Sequence, residues 1–532
     1  MCFLKGIRKF LTKDFTFYDI SESENTYKNI ATLKSAGAVC KKENGIFYWY
    51  LNTDSVQKTF DELNTISLKE KLFPFQNEDA RQLVNLNRAI LAHETGLGKT
   101  VISLAALNHL YEIKDRKDVK SLVVVPNIAL IDNWIKEINK CTGLSYSVYP
   151  DLSGRIILTT YIRLRIDKDY FGSQYYFCII FDEANAIKNS KAKQTKVSYS
   201  LKAYYKWLLT ATPIKNSPLE VYSLCKALDC SAYLFGNYYS YLEQYATKEF
   251  VSFLNREIVV GYKNLDNLKK KISPLVLVRS KDSPEIIRQV GKEFKYIKKV
   301  IDVPLNAEQK KITAIIQSSI NQLMDELHNA GYEKDEWLTS PELREYKEKM
   351  LPYYTVARML SNSVHLYDQS KSDIKNELPA INSKGTLSNK ISEIIRIIND
   401  EVGNDKVIVF TSFEKFAVEI DYEFKRHDIK ALLATGSTDY AEAIKKFQES
   451  EENVLIMTNI GKYGLNLQFA KYLIICEPPF TYADMIQIEG RVVRTGQQAV
   501  PVIYFLLSGE VDENIYNKML EKKSYNSQIL SE

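Results

Sequence analysis

The residues best suited to hold a polyphosphate lie in HETGLGKT, His93 to Thr100. Gly96 and Gly98 let successive backbone N–H groups close around phosphate oxygens, with Thr95 and Leu97 completing the loop. Lys99 is placed to reach the β- and γ-phosphates of ATP, and the Thr100 hydroxyl to ligate Mg²⁺. A glycine-rich turn with an incidental lysine is the plainer alternative, and context decides against it. The loop follows the apolar run AILA and opens the helical pattern KTVISLAALNHLY, the strand–loop–helix setting in which such a loop binds nucleotide.

Two more segments complete the chemistry. FDEAN, Phe181 to Asn185, ends the apolar run YFCIIF, so its carboxylates fall at the ligand edge of a sheet. Asp182 can hold Mg²⁺ through water, and Glu183 can orient and deprotonate an attacking water. A lone Asp-Glu pair is usually a solvated loop; order and setting argue otherwise here. QIEGRVVRTGQ, Gln487 to Gln497, carries Arg491 and Arg494 three residues apart, on one face if the segment is helical. Guanidinium groups brought across a cleft stabilise charge on a transferring phosphoryl group. Upstream, the Gln76 amide offers a donor and an acceptor that suit an adenine edge, although an isolated surface glutamine is the commoner case.

These residues need rigid elements behind them. Short runs apolar on both faces (AILA, SLVVVP, RIILTTY, FCIIFDE, KWLLTATP) alternate with helical patterns from about Phe73 to Lys215. A second series follows: KVIVFTS, ALLAT, NVLIMT, YLIICEPP and VIYFLLS. Such runs are buried parallel strands, so the expected fold is α/β, with two doubly wound parallel-sheet lobes. The expected organisation is a small α+β module over 1–70, a first lobe over 71–295 and a second over 296–532. Helical insertions are expected at about 216–275 and 306–370, and a polar linker begins at Ser370. Within the first module, GIFYWYLNT, Gly45 to Thr53, reads as a strand. Its aromatics suit either a packing cap or stacking on bases.

Composition bounds the remainder. Of 532 residues, 45% are apolar and 26% charged, enough for a large core. The surplus of 71 basic over 66 acidic residues is compatible with a nucleic-acid partner without demanding one. Seven scattered cysteines with no C-x-x-C pair fit neither a zinc site nor a disulfide framework. No window approaches the roughly 20 apolar residues of a membrane span. The expected location is the cytosol, or the nucleus of a nucleated host, with no membrane partner.

Taken in order, FQ, ETGLGKT, VVVPNIALIDNW, ILTTY, DEANAIKN, LLTATPIKNSPLEVYSL, VIVFTSF, GLNLQ and QIEGRVVRTGQ resemble the Swi/Snf-related ATPases of helicase superfamily two, from about Leu72 to about Lys523. The resemblance implies two RecA-like lobes, ATP and Mg²⁺ as cofactors, and double-stranded DNA, forked DNA included, as partner. It assigns Gln76 to adenine, Lys99 and Thr100 to phosphate and Mg²⁺, and Asp182 and Glu183 to metal and water. Gln487, Arg491 and Arg494 would complete the site from the second lobe. Nucleic-acid contacts would fall at Pro126, Asn127, Thr159, Thr160, Thr411, Ser412 and Asn466. Three positions depart from the family pattern: Asn185 replaces a histidine, His93 an acidic residue and Lys462 a glycine. The implied activity is ATP-driven translocation on duplex DNA that remodels protein–DNA complexes or forks, in a compact enzyme of bacterial, phage or viral type. The alternatives are an annealing or fork-reversal helicase, a catalytically silent DNA scaffold and a small-molecule P-loop enzyme. A protein partner on the DNA is not specified.

Overall fold

The computed structural model describes residues 8–11, 15–19, 39–43, 46–52, 72–114, 119–211, 217–251, 256–290, 294–329, 344–370, 372, 374, 378–380, 387–458, 467–494 and 497–521. The chain divides into two compact units. The smaller holds Met1–Asn87, Thr100–Asp118 and Glu137–Leu144; the larger holds Arg88–Lys99, Val119–Lys136 and Ser145–Glu532.

In the smaller unit, strands β1 (Arg8–Leu11), β2 (Phe15–Asp19), β3 (Val39–Glu43) and β4 (Ile46–Asn52) form an antiparallel sheet in the order β1-β2-β4-β3. The aromatic run expected as a strand is β4, in register with β2 and β3. A helix, Pro74–Asn85, starts on a proline, whose fixed φ suits the first helical position.

The larger unit contains two parallel sheets. The first uses β5 (Arg88–Leu91), β6 (Ser121–Val125), β7 (Tyr146–Val148), β8 (Ile156–Thr160), β9 (Tyr175–Phe181), β10 (Lys202–Leu209) and β13 (Val276–Leu277), in the order β13-β5-β10-β9-β6-β8-β7. Every residue of β6 is buried, as a central parallel strand covered on both faces requires. The registers align the strands' C-terminal ends: Leu209 lies beside Leu91, Leu208 beside Phe181 and Val125 beside Thr160. The loops that follow β5, β6, β8 and β9 therefore open on one edge. An apolar cluster that includes Ile90, Leu122, Val124, Ile179, Phe181 and Leu208 fixes the strands behind it.

The second sheet joins β14 (Ile297–Asp302), β15 (Val407–Phe410), β16 (Ala431–Ala434), β17 (Val454–Met457), β18 (Tyr472–Ile475) and β19 (Val502–Leu507), in the order β14-β19-β18-β15-β17-β16. The two expected series of strands thus form two α/β sheets, and the chain passes from one to the other between Leu277 and Ile297.

The stretch 216–275 departs from the helical expectation. Helices Glu220–Ala227, Ser231–Phe235, Tyr238–Tyr245 and Leu265–Ile272 share it with an antiparallel hairpin, β11 (Ala246–Val251) and β12 (Arg256–Tyr262). Its charged residues come in adjacent pairs, Lys248–Glu249 and Arg256–Glu257, so neither strand shows the alternation that marks a half-buried ribbon. Helices Ala307–Asn329 and Arg344–Asn362 pack through Ile312, Ile316, Met350 and Leu360.

A buried polar network ties the second sheet to these helices. The fully buried Lys390 amine donates to Asp512 at 2.7 Å, to the Cys476 carbonyl at 2.7 Å and to Asn362 at 2.9 Å. Removing one partner strands the other charge away from water. Asp512→Ala is expected to cost about 3–5 kcal/mol, whereas Lys390→Met with Asp512→Leu recovers most of that loss. Urea unfolding of the three chains measures the difference; equal losses in the single and double variants would contradict it.

Candidate active site

The glycine-rich loop leaves β5 at Leu91 and enters the helix Lys99–Lys114. Gly96 (φ 85°) and Gly98 (φ 83°) both take the left-handed conformation, which side-chain-bearing residues rarely adopt. Their backbone accounts for the G-x-G spacing. The Lys99 amine donates to the carbonyls of His93 at 2.8 Å and Glu94 at 3.4 Å, folding back over the mouth of the loop. Burial lowers its pKa, against the upward pull of Glu183 and Asp182. Thr100, the second residue of the helix, is half-buried.

Asp182 and Glu183 follow β9 at the same sheet edge. Asp182 accepts from the Trp134 indole N–H at 2.8 Å and from the Glu183 backbone N–H at 2.9 Å. The Tyr161 hydroxyl donates to the Asp182 carbonyl at 2.9 Å, so both ends of this residue are fixed. Glu183 has φ 46°, a rare conformation without glycine, held by the short 3₁₀ turn Ala184–Ile187. Burial raises both carboxyls above the ordinary range. The Trp134 hydrogen bond and then Lys99 oppose this at Asp182; at Glu183 the Asp182 charge adds to it, opposed by Lys99 and Arg491.

The second lobe supplies the opposite wall. The Gln487 amide donates to Glu183 at 3.1 Å, and its buried oxygen has no hydrogen-bond partner among the described residues. The Thr95 hydroxyl donates to the Ile486 carbonyl at 3.3 Å. A Cβ on Gly96 would lie 2.7 Å from the Arg494 Cβ, and one on Gly490 would lie 2.1 Å from the Thr95 hydroxyl. Neither position has room for a side chain, because Arg494 crowds Gly96 and the Thr95 side chain crowds Gly490. Arg491 and Arg494 act electrostatically on Lys99, which sets all three cations in one region.

The two arginines do not share a helix face, which corrects that expectation. The helix Tyr482–Glu489 stops at Gly490, and 491–494 form a turn bonded back to Ile488 and Glu489. Gly490 caps the helix, and a larger residue there would collide with Thr95.

The other expected positions divide. Gln76 is buried in the first helical turn, where its side-chain oxygen accepts from the Phe73 N–H at 3.1 Å; that oxygen caps its own helix. Leu97 is fully buried. Asn127 caps the helix Ile128–Cys141 by accepting from the Leu130 N–H at 3.1 Å, beside half-buried Pro126. Thr160 caps the helix Tyr161–Ile166. Thr159 and Thr411 are interior, a correction to their expected role at a surface. The Thr411 hydroxyl donates to the buried Glu477 carboxylate, which also accepts from the Ser412 N–H. Asn466 and Lys462 lie outside the described residues. Trp134 lies within VVVPNIALIDNW, and its chemical role rests on a contact 48 positions away that no local pattern signals.

Residues 75–349 match the SNF2-related domain and 389–496 the helicase conserved C-terminal domain. The chain belongs to the SNF2-related family. Relatives include an ATP-dependent helicase of Mycoplasma pneumoniae, 25% identical over 510 residues, covering 90% of this chain and 45% of that one. Another is the ATP-dependent helicase YqhH of Bacillus subtilis, 24% identical, covering 84% and 78%. The Sulfolobus solfataricus SWI2/SNF2 ATPase core in complex with dsDNA aligns over 87% of this chain and 94% of its own, at 23% identity and a TM-score of 0.40. The chain spans less than half the length of the first curated relatives it matches. No helix among the described residues is long and apolar enough to cross a membrane.

The Trp134 contact yields a pH-dependent expectation. An acid whose pKa is raised on folding lowers stability above its folded pKa and has no such effect below its unfolded one. Trp134→Phe removes a donor to the carboxylate and raises that pKa further. Its stability deficit should therefore be about 1.5–3 kcal/mol larger at neutral pH than at acid pH. Urea unfolding at the two pH values tests this; a deficit independent of pH would show that the indole does not support the charged form.

Proposed function

We propose that this chain hydrolyses ATP between its two lobes and converts the cycle into movement along double-stranded DNA. The hydrogen bond from Gln487 to Glu183 carries the reading, because it brings a second-lobe side chain to the carboxylate suited to activate water. The Gln487 oxygen and the other Glu183 oxygen form a pair of acceptors, and a water has two hydrogens to give. Glu183 would take the proton as that water attacks the γ-phosphorus. Lys99 would exchange its carbonyl partners for phosphate oxygens, and Arg491 and Arg494 would offset charge gathering on them.

The residues fit Mg²⁺ as well. Among the described residues no three His, Cys, Asp or Glu side chains form a metal cage of their own. A single carboxylate suits Mg²⁺, which draws its other ligands from phosphate and water. Asp182 would hold it, and when bound it would neutralise phosphate charge.

Charge changes in the cleft would then alter how the lobes meet, since Thr95, Gly96 and Glu183 of the first touch Ile486, Gly490, Arg494 and Gln487 of the second. Pro126 and Asn127 follow β6 and Thr160 ends β8 on the first lobe, and Ser412 follows β15 on the second; these positions would hold the DNA backbone without reading sequence. Forked DNA is the finer form of the same substrate.

ATP turnover with duplex, single-stranded and forked DNA and with RNA tests the reading. Duplex or forked DNA is expected to stimulate phosphate release, with stimulation falling steeply as salt rises. Lys99→Ala and Glu183→Gln should each lower turnover on the order of 100-fold or more. Hydrolysis indifferent to every nucleic acid would overturn the motor. Gly490→Ala should also lower turnover, by roughly 10- to 100-fold, because its methyl displaces the arginine turn. Full activity in that variant would mean the turn is not needed close to the loop.

A further inference from the structure

The segment Val278–Lys281, just after β13, belongs to none of the motifs considered above. Its backbone is laced to the glycine-rich loop. The Ala92 N–H donates to the Leu277 carbonyl at 2.7 Å, and the Glu94 N–H to the Arg279 carbonyl at 3.1 Å. In return the Glu94 carboxylate accepts from the Lys281 N–H at 2.8 Å and from the Ser280 hydroxyl at 3.2 Å. One end of Lys281 is thus part of the phosphate-loop scaffold.

The other end crosses to the second lobe. The Lys281 amine donates to the Val493 carbonyl at 2.5 Å, one residue before Arg494, and stands 5.3 Å from the Phe294 ring. Burial brings its pKa down to about 8, with Glu94 and Glu489 favouring its charge and Arg494 and Lys99 opposing it. Placing an amine among cations is unfavourable, so the carbonyl contact needs a compensating role. Lys281 is thus a first-lobe side chain hydrogen-bonded to the backbone of that turn.

We propose that Lys281 is a positioning residue that holds the 491–494 turn against the glycine-rich loop, so that Arg494 faces the transferring phosphoryl group. The inference rests on the two-lobe ATPase reading for its chemical consequence. Lys281 touches no reacting atom; it acts through Arg494. Glu94 serves it by fixing its backbone, so the strap runs Glu94–Lys281–Val493–Arg494. Hydrolysis in one lobe and the arginine turn of the other are then linked by a side chain that leaves the nucleotide's own ligands untouched.

The full-length chain with Lys281→Met, Lys281→Arg, Arg494→Ala and the Lys281→Met/Arg494→Ala pair tests this. Lys281→Met is expected to lower kcat roughly 10- to 100-fold, the scale of a misplacement of about 1 Å, with KM for ATP nearly unchanged. Lys281→Arg, which keeps a cationic donor, should recover a large part of kcat. The double variant should be no slower than Arg494→Ala alone, because the lysine has nothing left to position. Independent losses that multiply, or a wild-type kcat in Lys281→Met, would overturn the proposal. Amide hydrogen exchange over 490–494 supplies a readout independent of turnover. It should quicken in Lys281→Met and stay slow in Lys281→Arg, and unchanged exchange in Lys281→Met would overturn the strap. Failure of the wild-type chain to hydrolyse ATP would instead defeat the reading beneath it, with the exchange result still deciding whether the strap exists.

Discussion

Everything in this molecule turns on keeping a cluster of ionised groups out of water. The charges of Asp182, Glu183, Arg491 and Arg494 all act on Lys99, and burial opposes the charged forms of Lys99, Asp182 and Glu183. Such a cluster is tolerable only when opposite charges and hydrogen bonds replace the lost hydration. The first lobe alone brings one cation and two carboxylates. The arginines from the second lobe reverse that balance, so the charge state of the cleft and the separation of the lobes are one variable. In the proposed cycle a nucleotide that adds negative charge would favour the closed arrangement, and its cleavage would remove part of that preference.

The backbone departs from ordinary conformations at the points where this cluster is assembled. Gly96 and Gly98 turn left-handed to form the loop, Glu183 does so without a glycine, and Gly490 allows a helix end to touch Thr95. The strain at Glu183 is held by neighbours: Tyr161 grips the Asp182 carbonyl, and the Glu183 N–H is fixed on the Asp182 carboxylate. Local conformational preference yields here to the geometry of the site, the usual pattern where chemistry is done.

That distinction also explains what could be read from the sequence. Strands such as SLVVV and VIVF were legible because central parallel strands are apolar on both faces, and the glycine-rich loop and the Asp182–Glu183 pair because each sits after one. The edge strands β7 and β13 were not legible, being three and two residues long. The hairpin β11–β12 was hidden by charged residues on a ribbon outside either parallel sheet. Lys99, Asp182, Glu183 and Gln487 could be found from motif spacing. Trp134 and Lys281 could not be given roles, because their meaning lies in contacts 48 and 212 positions away. The arginine spacing left helix or turn open for a related reason: three residues apart suits a helix face, and the sequence carries no local signal that the helix stops at Gly490.

The end of that helix has a mechanical consequence. Arginines within a helix would move only with the whole helix, which is anchored by buried Ala483, Met485 and Ile488. On a turn beyond its last residue, the arginines are held instead by the buried Val492 and Val493 between them and by groups of the opposite lobe, among them the Lys281 amine on the Val493 carbonyl. This wall of the cleft is therefore anchored partly by the other lobe, whereas each sheet is fixed by its own core. The proposed motor would need this asymmetry: stiff bodies that transmit displacement, joined at the reacting phosphate by the part of the structure that depends most on what the cleft contains.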